Sequence, residues 1–283
     1  MERNIHQIWM QGRDKVPAKL SVYMAQNASM HPAWNYEFWD EPRIERLVAG
    51  NDRWRDKYAT FGFLHQRVDF AKLLILYTYG GIVIDADAYT VRPLDALFDE
   101  HKDADFVASL LFRSPPPLGW LQSWIACKTS GSCVNNGSYA GKRGSHALRY
   151  MIDHIVSLPV CTNRSREDCI QQTTGPVVFS RMVREYARNH GKAVILEHDS
   201  LEPCIGTTCN FTDRTYIVHK HEMTWCGPMM RELARFYMTY PTTSYVIVVS
   251  TCLIIIFVVT LILYKVIHKA RMVARESRTP TRR

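Results

Sequence analysis

The chain has 283 residues, of which 47% are apolar and 22% charged, so collagen-like, low-complexity and disordered classes are excluded. The formal charge of +8 is unevenly distributed, because residues 265–283 hold seven Lys or Arg and one acid. Subtracting these from the totals of 35 and 27 leaves 28 basic and 26 acidic residues before position 265. The main domain is therefore almost neutral, which excludes the charge pattern of a nucleic-acid-binding protein.

The first fifty residues alternate short strands with helices. Apolar residues at 5–9 predict a buried strand, and residues 18–28 predict a helix. Aromatic side chains over 34–39 predict a second strand, followed by a helix that begins near Pro42 and ends at Gly50. This order indicates an α/β domain.

The next segment contains the most informative pattern in the chain. Residues 68–79 carry apolar side chains at helical spacing and end at a pair of glycines. Gly80 suits the left-handed residue after a helix, and the run 82–84 predicts a buried central strand. Asp85 and Asp87 then fall at the carboxyl end of this strand, where open α/β sheets bind their ligands.

The α/β pattern continues along the second half of the main domain. Ser145 is a helix N-cap candidate ahead of apolar residues at helical spacing, and residues 178–189 predict another helix. A short apolar strand is predicted over 193–196. We therefore expect one folded domain over residues 1–240.

Asp85 and Asp87 form a D-x-D motif. Because side chains two residues apart in a strand point to the same side, both carboxylates are expected to face one pocket. Two carboxylates suit Mg²⁺ or Mn²⁺ together with a substrate diphosphate, while the alternative is a polar strand end that binds nothing. Asp69 and Lys72 lie one helical turn apart, and a surface ion pair is the alternative interpretation for them.

A different class of enzyme also opens its site with a strand and two aspartates. In the haloacid-dehalogenase phosphatases the first aspartate is the nucleophile, which here would be Asp85. That pattern needs Thr or Val two residues after the second aspartate, where this chain has Tyr89. We therefore rank the phosphatase hypothesis last.

Residues 245–264 are an uncharged, mostly apolar run that is long enough to cross a bilayer as a helix. The basic tail 265–283 follows, and the positive-inside rule places it in the cytoplasm. The main domain would then lie in the lumen of a Golgi-type or ER-type membrane. The alternatives are a buried core helix, or a tail-anchored protein that faces the cytosol, because residues 1–10 show no apolar signal.

Two further patterns favour a lumenal main domain. Sequons for N-glycosylation occur at Asn27, Asn136, Asn163 and Asn210. Seven of the eight cysteines lie outside the predicted span, and their spacing allows disulfides between Cys127 and Cys133, Cys161 and Cys169, and Cys204 and Cys209.

Five blocks of this sequence, in the same order, resemble a known family. They are IHQIWMQG at 5–12, HPAWNYEFWD at 31–40, RVDFAKLLILYTYGGIVIDADAYTVRPLDALF at 67–98, TGP at 174–176 and HKHEMTW at 219–225. The resemblance is to the DXD-containing glycosyltransferases, which include Och-type α-mannosyltransferases, inositol-phosphoceramide mannosyltransferases and α-1,4-glycosyltransferases. It covers about 220 residues.

The resemblance implies a GT-A fold and transfer of a hexose, with mannose favoured, from a nucleotide sugar with retention at the anomeric carbon. It also implies roles for single residues. The implied metal ligands for Mn²⁺ or Mg²⁺ are Asp85, Asp87 and His219. The implied donor-binding residues are Trp9 on the base, Asp69 and Lys72 near the sugar, Asp85 on the ribose, and His219 with Trp225 over the diphosphate. The implied catalytic set is Asp69, Asp85 and Asp87.

Two departures from the family pattern stand beside the resemblance. Lys72 occupies a position where the family usually has Arg, whose two-pronged guanidinium grips phosphate or carboxylate. The final block has His219, Lys220 and His221 where the family usually has His-His-Trp. The leading hypothesis is a membrane-bound hexosyltransferase acting on a glycan or lipid acceptor, and the second is an anchored sugar-binding or partner-binding module that has lost turnover.

Overall fold

Six strands form one mixed sheet in the computed structural model, which describes residues 1–111, 131, 133–162, 164–205, 208–222 and 227–276. Within these residues the strands are β1 (Asn4–Ile8), β2 (Asn35–Trp39), β3 (Gly81–Ile84), β4 (Ala88–Thr90), β5 (Phe106–Ser109), β6 (Ser138–Gly141), β7 (Ala193–Leu196), β8 (Cys204–Ile205), β9 (Thr208–Cys209) and β10 (Ile217–His219). The order in the main sheet is β2-β1-β3-β6-β5-β7, and β4 pairs with β10 separately.

Helices alternate with these strands along the described residues. They are α1 (Ala18–Met30), α2 (Glu41–Ala49), α3 (Asp52–Ala59), α4 (Leu64–Tyr79), α5 (Asp95–Glu100), α6 (His146–Ser157), α7 (Arg166–Thr173), α8 (Pro176–His190), α9 (His198–Leu201), α10 (Pro228–Thr239) and α11 (Pro241–Glu276). The chain divides into two compact units, Met1–Arg231 and Glu232–Arg283.

One strand of the main sheet runs against all the others. β1 pairs in parallel with β2 and β3, and β5 pairs in parallel with β7, whereas β6 is antiparallel to both β3 and β5. The carboxyl ends of β1 and β3 therefore meet the amino end of β6 at the same edge. Residues just after β3 and residues just before β6 are brought together there.

The strand after the glycine pair is buried on both faces, as the sequence predicts. Ile82 and Ile84 pack on one side of the sheet with Phe98 of α5, while Val83 packs on the other side with Phe70 of α4. All four residues of β3 are buried. The predicted α/β class, with the layered sheet that the GT-A resemblance implies, is confirmed.

The predicted helices and strands of the main domain are confirmed, but the start of α4 differs. The elements that were not predicted are helices α3, α5, α7, α9 and α10 and strands β4, β5, β6, β8, β9 and β10. Helix α4 begins at Leu64 rather than at residue 68, because Phe63 and Gln66 form a hydrogen bond that closes its first turn. Helix α3 was not predicted, since its residues are mostly charged and it buries few of them. Ser145 caps α6 as expected, accepting from the Leu148 amide.

The glycine pair is required by a tight turn between α4 and β3. Gly80 and Gly81 both have positive φ, at 66° and 106°. A Cβ on Gly81 would also collide with the Asn4 carbonyl oxygen of the neighbouring strand. A bulkier residue at either position would displace the strand that carries the D-x-D motif.

Two of the three predicted disulfides are present. Cys161 bonds to Cys169, and Cys204 bonds to Cys209 across the β8–β9 hairpin. The third predicted pair includes Cys127, which lies outside the described residues.

The sequons differ in what the fold permits. Asn27 is fully buried, where its side chain donates to the Ala88 carbonyl and accepts from the Thr90 amide, so this sequon does not support a lumenal main domain. Asn136 is also buried and is hydrogen-bonded within the main domain, so its sequon fails for the same reason. Asn210 is exposed, and Asn163 lies outside the described residues.

Helix α11 contains the predicted apolar span. Its segment Val246–Lys269 is long and apolar enough to cross a membrane, and its apolar residues are not buried against the rest of the described chain. The hydroxyls of Thr251 and Thr260 donate to the carbonyls of Ile247 and Ile256, four residues earlier, which satisfies polar groups within the helix. The helix is thus confirmed, while its insertion in a membrane stays a prediction.

The buried His6 side chain joins β1 to the end of α4 and is held neutral. Its Nε2 lies 2.9 Å from the Gly80 carbonyl oxygen, to which it donates, and its Nδ1 accepts from the Trp39 indole N–H at 3.2 Å. Burial lowers the pKa of His6 to about 4, against 6.5 for the free side chain. A proton on Nδ1 would face the indole donor.

We therefore expect acid to destabilise the fold through His6. Between pH 6.5 and pH 4 the unfolded chain binds a proton that the folded chain does not, so the free energy of unfolding falls by about 3 kcal/mol. Denaturant titrations of the full chain in detergent at several pH values measure this loss. His6→Gln keeps one donor and one acceptor and should lack this component. An identical pH dependence in the variant would contradict the assignment.

Candidate functional site

A cavity of about 480 Å³ opens at the edge of the sheet where β1 and β3 end and β6 begins. Every predicted site residue that the structure describes lines it: Trp9, Asp69, Lys72, Asp85, Asp87 and His219. Trp225, the remaining predicted residue, lies outside the described residues.

The two aspartates of the D-x-D motif share this cavity for a reason other than strand alternation. Residues 85–87 form a turn between β3 and β4, in which the Ala88 amide donates to the Asp85 carbonyl at 3.0 Å. The Asp85 amide donates to the Gly137 carbonyl at 2.9 Å, which ties the turn to the residues before β6. The two carboxylates line one cavity as predicted, but the turn brings them there and not the alternation of side chains along a strand.

Asp87 is paired with His219 through the small β4–β10 sheet. The register places His219 opposite Ala88, so that its Nε2 lies 3.1 Å from Asp87 Oδ1. The Glu222 amide donates to the other Asp87 oxygen at 2.8 Å. Burial opposes ionisation of Asp87, but His219 and this amide outweigh it and lower the pKa of the carboxyl below its usual range.

His219 lies between two acidic groups. Its Nδ1 is 3.3 Å from the buried Glu202 carboxylate, on the side opposite Asp87. Burial lowers the pKa of an imidazole, but Asp87 and Glu202 together raise that of His219 well above its ordinary value. In the absence of a bound cation His219 is therefore charged and donates from both nitrogens.

Lys72 is a buried cation that links the helix to the D-x-D turn. Its Nζ lies 2.6 Å from Asp85 Oδ1 and 3.6 Å from Asp69 Oδ1, and it donates to the Asn136 carbonyl at 3.0 Å. The lysine side chain is only 6% exposed. The alternative interpretation of Asp69 and Lys72 as a surface ion pair is therefore wrong.

Burial and ion pairing act in opposite directions on these three groups. Burial raises the pKa of Asp69 to about 7, because the effect of Lys72 offsets it only in part. Burial likewise raises the pKa of Asp85. For Lys72, burial lowers the pKa, but the two carboxylates outweigh this and the net shift is upward.

Several polar residues in and beside the cavity were not predicted from the sequence. Asn136 donates to Asp69 Oδ1 at 3.1 Å, and Thr174 donates to Asp69 Oδ2 at 3.3 Å. Asn135 donates to the Glu202 carboxylate and accepts from the Gly137 amide. The signals were an Asn-Asn-Gly turn sequence at 135–137 and the T-G-P block, but neither indicates Glu202, which follows a four-residue helix.

Trp9 lies at the mouth of the cavity directly after β1. Its indole N–H donates to the Lys15 carbonyl at 3.1 Å, which fixes the ring. The side chain is partly exposed rather than buried in the core. A planar apolar face is thus available beside the acidic groups.

The donor atoms of Asp85, Asp87 and His219 fit a hard divalent cation. One ligand atom from each of these residues lies within 4.8 Å of the others. Two carboxylates are typical ligands of Mn²⁺ and Mg²⁺, whereas the imidazole nitrogen is a softer ligand that suits Mn²⁺ better than Mg²⁺. Further coordination positions are left for substrate oxygens. The three residues are partly accessible from the cavity.

Comparison with known proteins identifies related sequences. Residues 17–103 match the family described as the glycosyltransferase sugar-binding region containing the DXD motif. The uncharacterized glycosyltransferase L373 of Acanthamoeba polyphaga mimivirus is 26% identical over 229 residues, which are 78% of this chain and 82% of that protein. Inositol phosphoceramide mannosyltransferase 1 of Schizosaccharomyces pombe is 27% identical over 128 residues, 44% of this chain and 37% of the relative.

Solved structures of glycosyltransferases are also similar to this chain. The galactosyltransferase LgtC matches with a TM-score of 0.43 and 14% identity, over 83% of this chain and 96% of its own. A glycosyltransferase involved in the glycosylation of the major capsid of PBCV-1 matches with a TM-score of 0.43 and 16% identity, over 83% of this chain and 98% of its own.

Removing the buried cation should destabilise the fold. We expect Lys72→Met to lower the free energy of unfolding by about 3 kcal/mol at pH 8, because Asp69 and Asp85 lose their common partner. The loss should shrink at pH 5, where the two carboxyls protonate in the variant. Denaturant unfolding of the full chain in detergent measures both values.

Lys57→Met provides the matched control. Lys57 is also buried, but its ammonium donates to a single carbonyl, that of Leu158. Replacing Lys57 should lower the free energy of unfolding by about 1 kcal/mol, with little dependence on pH between pH 5 and pH 8. Equal losses in the two variants would show that Lys72 does not compensate the two aspartates.

Proposed function

We propose that this chain, a glycosyltransferase whose residues 17–103 match the DXD-containing sugar-binding region, transfers a hexose from a nucleotide sugar with the help of a divalent cation. The observation that carries the proposal is the convergence of Asp85, Asp87 and His219 in the cavity beside Trp9. We favour mannose as the sugar, because the relatives include proteins named inositol phosphoceramide mannosyltransferases.

The cavity residues divide into three roles in donor binding. Trp9 offers its ring face to the nucleotide base, at the end of the cavity formed by β1. Asp69, held by Asn136 and Thr174, accepts hydrogen bonds from hydroxyls of the donor sugar. Asp85 accepts from the ribose and shares with Asp87 and His219 the task of holding the cation.

The reaction breaks the bond between the anomeric carbon and the diphosphate oxygen and forms one to an acceptor hydroxyl. A bound Mn²⁺ or Mg²⁺ supplies positive charge that stabilises the departing diphosphate. The protein fixes the reacting groups in place, since the Asp87 carboxylate is held by the Glu222 amide and Asp85 by the Lys72 ammonium. The acceptor oxygen attacks from the same face that the diphosphate leaves if configuration is retained.

A sugar-binding module without turnover is the second candidate. The observation that favours it is Lys72, which stands where the family usually has Arg. The two candidates differ in a direct measurement, since an enzyme releases nucleoside diphosphate from the donor and a binding module does not. A screen of GDP-sugars and UDP-sugars with Mn²⁺ also identifies the donor.

We also propose that segment Val246–Lys269 anchors the protein in a membrane. Its length and composition suit a bilayer span, and the basic residues after it favour a cytoplasmic tail. A lumenal main domain accommodates the two disulfides, which persist in oxidising compartments. An acceptor on a membrane glycan or lipid would lie within reach of an anchored enzyme.

Asp87→Ala tests the metal-dependent transfer. We expect a loss of about 100-fold or more in Mn²⁺-dependent release of nucleoside diphosphate, because the cation loses a ligand. Asp99→Ala, which removes an exposed carboxylate from helix α5, serves as the control and should retain activity. Full activity in a folded Asp87→Ala variant would exclude this role for Asp87.

Glycosylation of Asn210 tests the sidedness. If the main domain is lumenal, expression in eukaryotic cells should add a glycan at this exposed sequon. Peptide N-glycosidase F should then increase the mobility of the protein, and Asn210→Gln should reduce that shift by one glycan. An unglycosylated full-length protein would favour the cytosolic orientation.

A further inference from the structure

We propose that Glu202 is a positioning residue that fixes two residues of the metal site relative to each other. It contacts His219 directly and is connected to Asp85 through hydrogen bonds of Asn135 and Gly137. The inference rests on the proposed metal site, but it concerns a residue that was not among the predicted site residues. Glu202 directly follows α9 and its side chain is completely buried.

Three side chains converge on the Glu202 carboxylate. His219 Nδ1 lies 3.3 Å from Oε2, and the Asn135 amide donates to the same oxygen. His221 Nε2 contacts the other oxygen, Oε1. The buried Glu202 carboxylate is therefore the common partner of these three side chains.

Asn135 extends this network of hydrogen bonds to the D-x-D turn. Asn135 Oδ1 accepts from the Gly137 amide at 2.6 Å, and the Gly137 carbonyl accepts from the Asp85 amide at 2.9 Å. A shift of the carboxylate at position 202 would therefore reach Asp85 through three successive hydrogen bonds, Glu202 to Asn135, Asn135 to Gly137 and Gly137 to Asp85. Gly137 also packs on the imidazole, because a Cβ there would lie 2.6 Å from His219 Cε1.

The chemistry of a metal-binding histidine explains why a carboxylate belongs at this position. A cation would be coordinated by the Nε2 lone pair of His219, which faces Asp87. The single proton of the neutral imidazole must then be on Nδ1. An acceptor at Nδ1 fixes that tautomer, holds the ring plane and increases the basicity of Nε2. Glu202 Oε2 is in place for this role. A fully buried carboxylate is costly, and the three converging side chains compensate it.

Glu202→Gln tests the proposal, because Gln has the same size but replaces one acceptor oxygen by an amide donor. The full chain in detergent is titrated with Mn²⁺ alone, with affinity measured by calorimetry. Pulsed electron paramagnetic resonance of bound Mn²⁺ detects the ¹⁴N coupling of a ligating histidine. We expect Mn²⁺ binding to weaken by about 10-fold to 100-fold and the ¹⁴N coupling to be lost or altered.

Asp199→Asn is the matched control. Asp199 is a buried acid on the same short helix, but it accepts from Thr212 and lies outside the cavity. This variant should keep the wild-type Mn²⁺ affinity and the ¹⁴N coupling. A general effect of disturbing α9 would weaken Mn²⁺ binding in both variants and would overturn the proposal.

The remaining outcomes separate this inference from the proposed function. A folded Glu202→Gln variant with wild-type affinity and ¹⁴N coupling would overturn the positioning role while leaving the metal site intact. A wild-type chain that binds no Mn²⁺ would overturn the metal site itself.

If Glu202→Gln fails to fold, Asn135→Ala tests the hydrogen-bonded connection from Glu202 to Asp85. This variant leaves the Glu202 carboxylate and its contact with His219 in place. We expect weaker Mn²⁺ binding with the ¹⁴N coupling retained. Unchanged affinity in Asn135→Ala would overturn the proposed link to Asp85.

Discussion

The Lys72 ammonium, buried between Asp69 and Asp85, is the interaction on which the whole site depends. Two carboxylates with little access to water would otherwise repel each other and take up protons. A single cation on the inner face of α4 keeps them together and also binds the carbonyl of Asn136. The helix, the D-x-D turn and the chain before β6 are thus joined at one nitrogen atom.

The same balance of charge explains how the other half of the site can accept a cation. Asp87 and Glu202 are ionised because His219 lies charged between them. At the proposed metal site, a divalent cation held by Asp87 and the Nε2 atom of His219 would replace the proton on that nitrogen, while the proton on Nδ1 would stay with Glu202. The buried carboxylates would then be compensated with either a proton or a metal ion.

The sequence revealed the parts of the site that are close together along the chain. Apolar periodicity, the glycine pair and the two aspartates predicted helix, turn, buried strand and ligand edge, and each is found in the structure. Glu202 and Asn135 were missed because their roles depend on contacts over 67 residues, which no local pattern records. The surface interpretation of Lys72 failed for a similar reason, since its partner Asp85 lies beyond the helix, across a turn and a strand.

The replacement of Arg by Lys at position 72 can be reconsidered in terms of geometry. An arginine fork suits a planar pair of oxygens, whereas an ammonium has three donors arranged around a point. Three acceptors surround Lys72 Nζ in space, namely the oxygens of Asp85, Asp69 and Asn136. These acceptors suit a lysine, so the substitution is not by itself a sign of lost turnover. Lys72 holds the two carboxylates in place, and in the proposed function the phosphates of a donor would be bound by a cation at Asp85, Asp87 and His219.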